Sequence, residues 1–173
     1  MGRLLLLVAL LSLVVFQGCG GGKMKVESVF KSGGDIPRKY TCDGSNVSPG
    51  LKVFNVPEDA KTLAIIVDDP DAPIGTFVHW VAWNISVNGR EVEIPEAVPR
   101  ENSFMLQGLN DFRRMGYDGP CPPPGHSKHR YHFKVYALDT TLTLRPGARK
   151  KDLERAMKGH ILDQAEIVGL YGR

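Results

Sequence analysis

The 173-residue sequence lacks several patterns that would assign a function directly. It contains no G-x-S-x-G segment of the kind found in many serine hydrolases, and no G-x-x-x-x-G-K-[ST] phosphate loop. Basic residues form only two short clusters, Arg113–Arg114 and Arg149–Lys151, so no element concentrates the charge that nucleic-acid binding requires. The formal net charge of +3 indicates neither nucleic acid nor anionic lipid as a partner.

Cysteine is scarce, with three residues in the chain. Cys19 follows an apolar run and is a candidate for lipidation, which leaves Cys42 and Cys121 as an even pair. In an exported protein such a pair permits a disulfide, but two separate thiols fit the sequence as well, and Cys121 beside His129 is a conceivable nucleophile. A zinc site is not expected, because the close pair of potential ligands, His126 and His129, lies in a loop-rich stretch.

The chain has one long apolar run, at its N-terminus. Residues 4–16 are uncharged and follow Arg3, but they are fewer than the roughly 20 residues needed to span a bilayer. This pattern is typical of a secretory signal peptide over residues 1–18. Cys19 and the glycines after it resemble a lipoprotein signal, so we expect an exported protein anchored through lipid on Cys19, with residues 19–24 as a tether. Plain cleavage and a retained anchor are the alternatives.

The rest of the chain has the pattern of a mostly β protein, in which short apolar segments are separated by Pro, Gly, Asn and Asp. The segment 62–69 is almost continuously apolar, so we expect it to be buried on both faces. Helical spacing occurs within residues 148–162, with Gly159 as a stop signal. The sequence therefore predicts a β-sandwich or mixed sheet with a short C-terminal helix beside it. Strands are predicted over residues 25–30, 51–56, 62–69, 76–87, 129–139 and 165–173.

Polar side chains are predicted to meet at the ends of three of these strands. Side chains alternate between the two faces of a strand, so His129 and Tyr131 lie at the start of the more apolar face of one predicted strand. By the same alternation, His79 lies near the start of the apolar face of another. Asp69 and Asp71 end a buried strand in a turn stiffened by prolines. We expect these five residues to form one pocket, because a histidine beside a carboxylate favours the protonated ring and a protonated ring binds small anions.

A long irregular region, residues 88–128, separates the two longest predicted strands, and such a region often forms a functional surface. It contains the proline-rich arch, residues 119–125, which we expect to form the rim of the pocket. Stiff loops order their backbone N–H groups in advance, so less entropy is lost when a ligand binds.

Six motifs occur one after another along the chain, and together they resemble those of the phosphatidylethanolamine-binding protein family. The resemblance is strongest to its prokaryotic Raf-kinase-inhibitor-like branch. The resemblance covers residues 25–173 and implies a β-sandwich with a large central sheet, a smaller sheet and a short C-terminal helix. It also implies an anion pocket in which Asp69, His79, His129 and Tyr131 bind the ligand, and in which backbone N–H groups around Gly119 and Cys121 face the anion. The motifs are "YTCDGSNVSPGL" (40–51), "DDPDAP" (68–73), "HWVAWNI" (79–85), "GYDGPCPPPG" (116–125), "HRYHFKVYALD" (129–139) and "GHILDQAEIVGLYGR" (159–173).

Three functions are compatible with these observations. The first is non-enzymatic binding of a small phosphorylated or anionic ligand, with no cofactor. The second, implied by the resemblance, is inhibition of a serine protease or kinase through the loops around the pocket. The third is hydrolysis with His129 and Asp69 as an acid–base pair.

Overall fold

The structure, a computed structural model, describes residues 22–173. The predicted signal peptide over residues 1–18 and lipid attachment at Cys19 lie outside the described residues. Within 22–173, no helix is both long enough and apolar enough to cross a bilayer.

Two antiparallel sheets pack face to face, which confirms the predicted mostly β sandwich. The smaller sheet has the strand order β1-β2-β5, and the larger has the order β6-β4-β3-β7-β8. The strands are β1 (Lys25–Ser28), β2 (Leu51–Phe54), β3 (Thr62–Asp69), β4 (Phe77–Ser86), β5 (Glu91–Ile94), β6 (Leu106–Gln107), β7 (His129–Leu138) and β8 (Ile161–Tyr171). A short 3-10 helix covers Arg38–Tyr40, and the helix α1 covers Lys150–Met157.

Strand β3 lies at the centre of the larger sheet and is buried along its whole length, as its apolar sequence predicted. Leu63, Ile65 and Val67 face the smaller sheet, where they join the main core. Ala64 and Ile66 face the other side, in the cluster that α1 covers with its own buried side chains. Each fully buried aliphatic side chain contributes roughly 1.5–3 kcal/mol, so β3 contributes to two cores at once.

The structure differs from the sequence prediction in the irregular region and near the C-terminus. Residues 88–128 contain β5 and β6, which are only four and two residues long and therefore give little periodic signal. The helix ends at Met157, and the chain turns at Gly159, whose φ of +84° suits glycine. The last strand then begins at Ile161 rather than at residue 165, because its first residues are exposed and do not alternate.

A disulfide joins Cys42 to Cys121, so the sulfur of Cys121 is not available as a thiol nucleophile. The two residues are 79 positions apart in the chain, and the Cys42 N–H also donates to the carbonyl of Pro120 at 3.0 Å. The bridge therefore fixes the proline-rich arch to the segment that follows the 3-10 helix.

Replacing both bridged cysteines by serine is expected to lower the free energy of unfolding by about 4 kcal/mol, because the unfolded chain regains the entropy of a long loop. Urea denaturation of the full chain measures this difference. Cys19→Ser is the matched control and should leave the midpoint unchanged. Equal midpoints for the double variant and the wild type would contradict a stabilising role for the bridge.

Candidate functional site

A cavity of about 260 Å³ lies where the C-terminal end of β3 meets the N-terminal ends of β4 and β7. Because β3 is antiparallel to both neighbours, Asp69 pairs with Phe77 at the start of β4, and Asp68 pairs with His132 near the start of β7. The topology thus brings three strand ends to one place. The cavity is lined by Asp69, Ala72, Pro73, Ile74, Phe77, His79, Phe112, Cys121, Pro122, Pro123, His129 and Tyr131.

Most of the predicted ligand-binding residues line this cavity. Asp71 and Gly119 are not among the lining residues, and their contacts are described below. The predicted residues that do line it are Asp69, His79, Cys121, His129 and Tyr131.

His129 and Asp69 form a buried pair at the base of the cavity. The His129 Nδ1 atom lies 2.8 Å from Oδ2 of Asp69, and each side chain is only 4% exposed. The other carboxylate oxygen of Asp69 accepts the backbone N–H of Asp71 at 2.8 Å. Both oxygens of Asp69 therefore have a partner, and the carboxylate holds the His129 ring in one orientation.

His79 is held from the opposite side by the backbone. Its Nδ1 atom lies 2.7 Å from the carbonyl oxygen of Asp118, and a carbonyl oxygen only accepts, so Nδ1 carries the proton. Burial lowers the pKa of His79 despite that hydrogen bond and the nearby Asp69 carboxylate. The ring is therefore neutral near pH 7, and Nε2 is an unprotonated acceptor. The sequence-based expectation of a protonated ring at this position was wrong, because burial outweighs the carboxylates.

Tyr131 contributes a hydroxyl that lies near the Asp69 carboxylate but forms no hydrogen bond of good geometry with the described residues. The side chain is fully buried, and its ring centroid lies 5.2 Å from that of His79 and 6.4 Å from that of His129. Burial, followed by the charge of Asp69, raises the pKa of Tyr131 well above its usual value. The hydroxyl therefore keeps its proton and can donate a hydrogen bond to a ligand.

Asp118 organises the loop behind His79, and its role was not found by sequence reasoning. The residue is 1% exposed, and its backbone carbonyl is the acceptor for His79. Its position in the "GYDGPCPPPG" segment was the only signal, because a loop residue follows no strand or helix period. Its carboxylate binds four side chains, namely those of Asn46, Asn110, Arg100 and Arg114.

The proline-rich arch supplies an apolar wall rather than a row of backbone donors. Four of its seven residues are prolines, which have no N–H, and the N–H of Gly119 donates to Oδ1 of Asn46 at 2.8 Å. The expectation that the Gly119 N–H faces an anion was therefore wrong, because Asn46 already binds that group. Gly119 is instead a packing position, since a Cβ atom there would lie 2.0 Å from the carbonyl oxygen of Tyr40.

Asp71 lies beside the cavity and binds Arg130. Its carboxylate accepts the backbone N–H and Nε of Arg130 at 2.9 Å and Nη2 at 2.6 Å. Hydrogen bonds from Arg130 lower the pKa of Asp71 to about 2, so the carboxylate stays charged and ties the turn after β3 to the start of β7. This contact gives Asp71 a positioning role, and its predicted role in ligand binding stays a prediction.

The mouth of the cavity is apolar, and the lining contains no Lys or Arg. Ile74 stands at the rim with 87% of its surface exposed, and Phe77, Phe112 and two prolines of the arch surround the opening. Within residues 22–173 no group of three or more His, Cys, Asp or Glu side chains has the arrangement of a metal site. The cavity thus combines a polar base with an apolar rim.

The chain is similar to known proteins along most of its length. A family model described as phosphatidylethanolamine-binding protein matches residues 26–172. The UPF0098 protein of Pyrococcus abyssi is 55% identical over 173 residues, which cover 95% of this chain and 96% of that protein.

Solved structures agree with the sequence comparisons. The crystal structure of a phosphatidylethanolamine-binding protein homologue from Chlamydia trachomatis matches with a TM-score of 0.79 and 40% identity, over 87% of this chain and 98% of that one. Escherichia coli YbcL, described as a member of the mammalian PEBP family, matches with a TM-score of 0.79 and 30% identity, over 87% and 99% of the respective chains.

Gly119→Ala is expected to destabilise the protein by roughly 1–3 kcal/mol, because the new methyl group would overlap the backbone at Tyr40. Thermal unfolding of the full chain measures the loss. Gly50→Ala is the matched control, since a Cβ atom there meets its nearest neighbour at an ordinary 3.5 Å. Equal melting temperatures for the two variants would show that the arch does not need this close approach.

Proposed function

Because the chain belongs to the phosphatidylethanolamine-binding protein family, we propose that it binds a small oxyanion-bearing ligand, such as a phosphorylated head group, in this cavity. The observation that supports the proposal most directly is the buried hydroxyl of Tyr131, which lies near the Asp69 carboxylate but forms no hydrogen bond of good geometry within residues 22–173. Leaving such a group unpaired costs about 1–3 kcal/mol. A ligand oxygen that accepts this hydrogen bond recovers that cost.

The geometry favours binding over covalent catalysis. The lining contains no serine or threonine, and the sulfur of Cys121 is bonded to Cys42. The His129–Asp69 pair is oriented for hydrogen bonding, but no serine, threonine or free thiol lines the cavity beside it. The apolar rim suits the less polar remainder of a ligand whose charged group enters first.

The main test is calorimetric titration of the full chain with phosphoethanolamine and with inorganic phosphate. Tyr131→Phe is expected to weaken binding about 5- to 10-fold, because one hydrogen bond is worth about 1 kcal/mol. The same variant should keep or gain stability, since it removes an unpartnered buried hydroxyl. Weaker binding without a loss of stability would indicate that the Tyr131 hydroxyl binds the ligand. A loss of stability would indicate that the hydroxyl has a structural role.

His129→Ala should abolish the heat of binding, whereas the matched control His132→Ala should not. The His132 side chain binds Glu166 and does not line the cavity. Unchanged affinity in both Tyr131→Phe and His129→Ala would refute the cavity as the binding site.

The proposal extends to location: an exported protein, anchored at the outer face of the cell membrane through lipid on Cys19. The apolar run before Cys19 supports export, and a disulfide is typical of oxidising compartments outside the cytoplasm. In a bacterial host, the wild-type chain is expected in the membrane fraction and Cys19→Ser in the soluble fraction, with Cys42→Ser as the control that retains the anchor. Equal partitioning of wild type and Cys19→Ser would contradict the lipid anchor.

A further inference from the structure

On the premise of the proposed function and of the lipid anchor on Cys19, we propose that the cavity opens away from the membrane that holds the chain. It then takes its oxyanion ligand from the aqueous side. Head groups of the anchoring membrane lie out of its reach, although their chemistry is that of the proposed ligand. The point where the chain enters the domain and the cavity lie at opposite ends of the larger sheet.

The chain enters the domain beside the start of β8. The backbone N–H of Met24 donates to Oδ2 of Asp163, on β8, at 2.9 Å. One residue earlier, the carbonyl oxygen of Lys23 accepts from Nδ2 of Asn55, directly after β2, at 3.2 Å. Gly22 lies against the same side chain, since a Cβ atom there would be 3.2 Å from that Nδ2 atom. Contacts from both sheets therefore fix the point of entry.

The pairing of β8 with β7 places this point of entry far from the cavity. Asp163 pairs with Ala137 near the end of β7. Tyr171 pairs with His129 at the start of β7, where the cavity lies. The eight residue steps from His129 to Ala137 span about 26 Å, because a β-strand rises roughly 3.3 Å per residue. The whole length of the larger sheet thus separates the cavity from the point of entry.

The chain between Cys19 and Gly22 is too short to bring the cavity to the anchoring membrane. Cys19 precedes Gly22 by three residues, and three residues of fully extended chain reach at most about 11 Å. A domain turned so that the cavity met the head groups would hold Gly22 about 26 Å above them. Because the tether spans less than half of that height, the anchored domain keeps its cavity on the aqueous side.

The surface around the point of entry is compatible with a nearby bilayer. Ile161 and Leu162 begin β8 there, and 43% and 41% of their surfaces are exposed. Exposed apolar side chains of this kind are found where proteins contact membranes. Glu58 and Asp59 lie in the turn before β3 and offset the charge of Lys61, which is exposed in the same turn. The short tether, rather than attraction between charges, therefore sets the orientation.

The orientation is tested with a fluorescent dye at either end of the lipid-anchored full chain. Ile74→Cys places the dye at the mouth of the cavity, and Asp59→Cys places it near the point of entry, both on exposed side chains. The dye reacts with the new thiol alone, since Cys42 and Cys121 are bonded and Cys19 carries lipid. Phosphatidylcholine vesicles with a nitroxide on their head groups quench the dye at close range.

We expect strong quenching at position 59 and little at position 74. Inserting about 20 Gly and Ser residues directly before Gly22 adds roughly 25 Å of flexible reach, so it should raise the quenching at position 74. Quenching at position 74 that equals or exceeds that at position 59 with the native tether would overturn the inference.

The source of the ligand is tested by calorimetric titration with phosphoethanolamine. The full chain is anchored on vesicles of phosphatidylcholine alone, or of equal parts phosphatidylcholine and phosphatidylethanolamine. Head groups within reach of a tethered site act at millimolar effective concentration, so they would compete with the added ligand. We expect the same affinity on both kinds of vesicle. Weaker binding on the vesicles that contain phosphatidylethanolamine would show that the cavity binds lipids of its own membrane, and would overturn the inference.

The soluble variant Cys19→Ser separates a failure of this inference from a failure of the proposed function. It lacks the anchor but keeps the cavity, so its binding of phosphoethanolamine depends on the proposed function alone. Binding by this variant, together with competition from lipids of the anchoring membrane in the wild type, would overturn only the inference. No binding by either form would overturn the proposed function and the inference together. A wild-type chain without lipid on Cys19 would overturn the inference and leave ligand binding intact.

Discussion

The pairing of β3 with both β4 and β7 is the constraint on which the cavity depends. Two antiparallel neighbours start where one central strand ends, so side chains distant in the sequence meet without any long loop crossing the core. The burial of β3 on both faces fixes the register, because a shift by one residue would exchange the two cores. Asp69 is therefore positioned by the same packing that stabilises the sheet.

A second layer of contacts fixes the cavity side chains individually. Asp69 orients His129 through its carboxylate, and Asp118 orients His79 through its backbone carbonyl. Asp118 is itself held by two asparagines and two arginines, so the acceptor for His79 belongs to a nearly closed hydrogen-bond network. Tyr131 is the exception, since within residues 22–173 its ring is held by packing and its hydroxyl forms no hydrogen bond of good geometry.

Local patterns in the sequence were sufficient to predict the strands whose apolar residues form a long run or alternate regularly. The long apolar run of β3 predicted its burial, and alternation placed His79, His129 and Tyr131 on their rows. The state of His79 was not predictable in this way, because its low pKa depends on burial produced by the whole fold. The same holds for Gly119. Only glycine fits at this position, because a Cβ atom would overlap the carbonyl oxygen of Tyr40, a residue distant in the chain. Short strands such as β6 give too few residues for any period to appear.

The prolines of the arch also bear on self-association of the protein. An exposed apolar edge with unpaired backbone N–H and C=O groups is a template for pairing with a second chain, and the mouth of the cavity exposes apolar surface at Ile74. The arch next to it contains four prolines in seven residues, so it cannot offer the ladder of N–H donors that an incoming strand needs. The mouth of the cavity can therefore be apolar, as ligand entry requires, while the prolines beside it disfavour β-pairing with a second molecule.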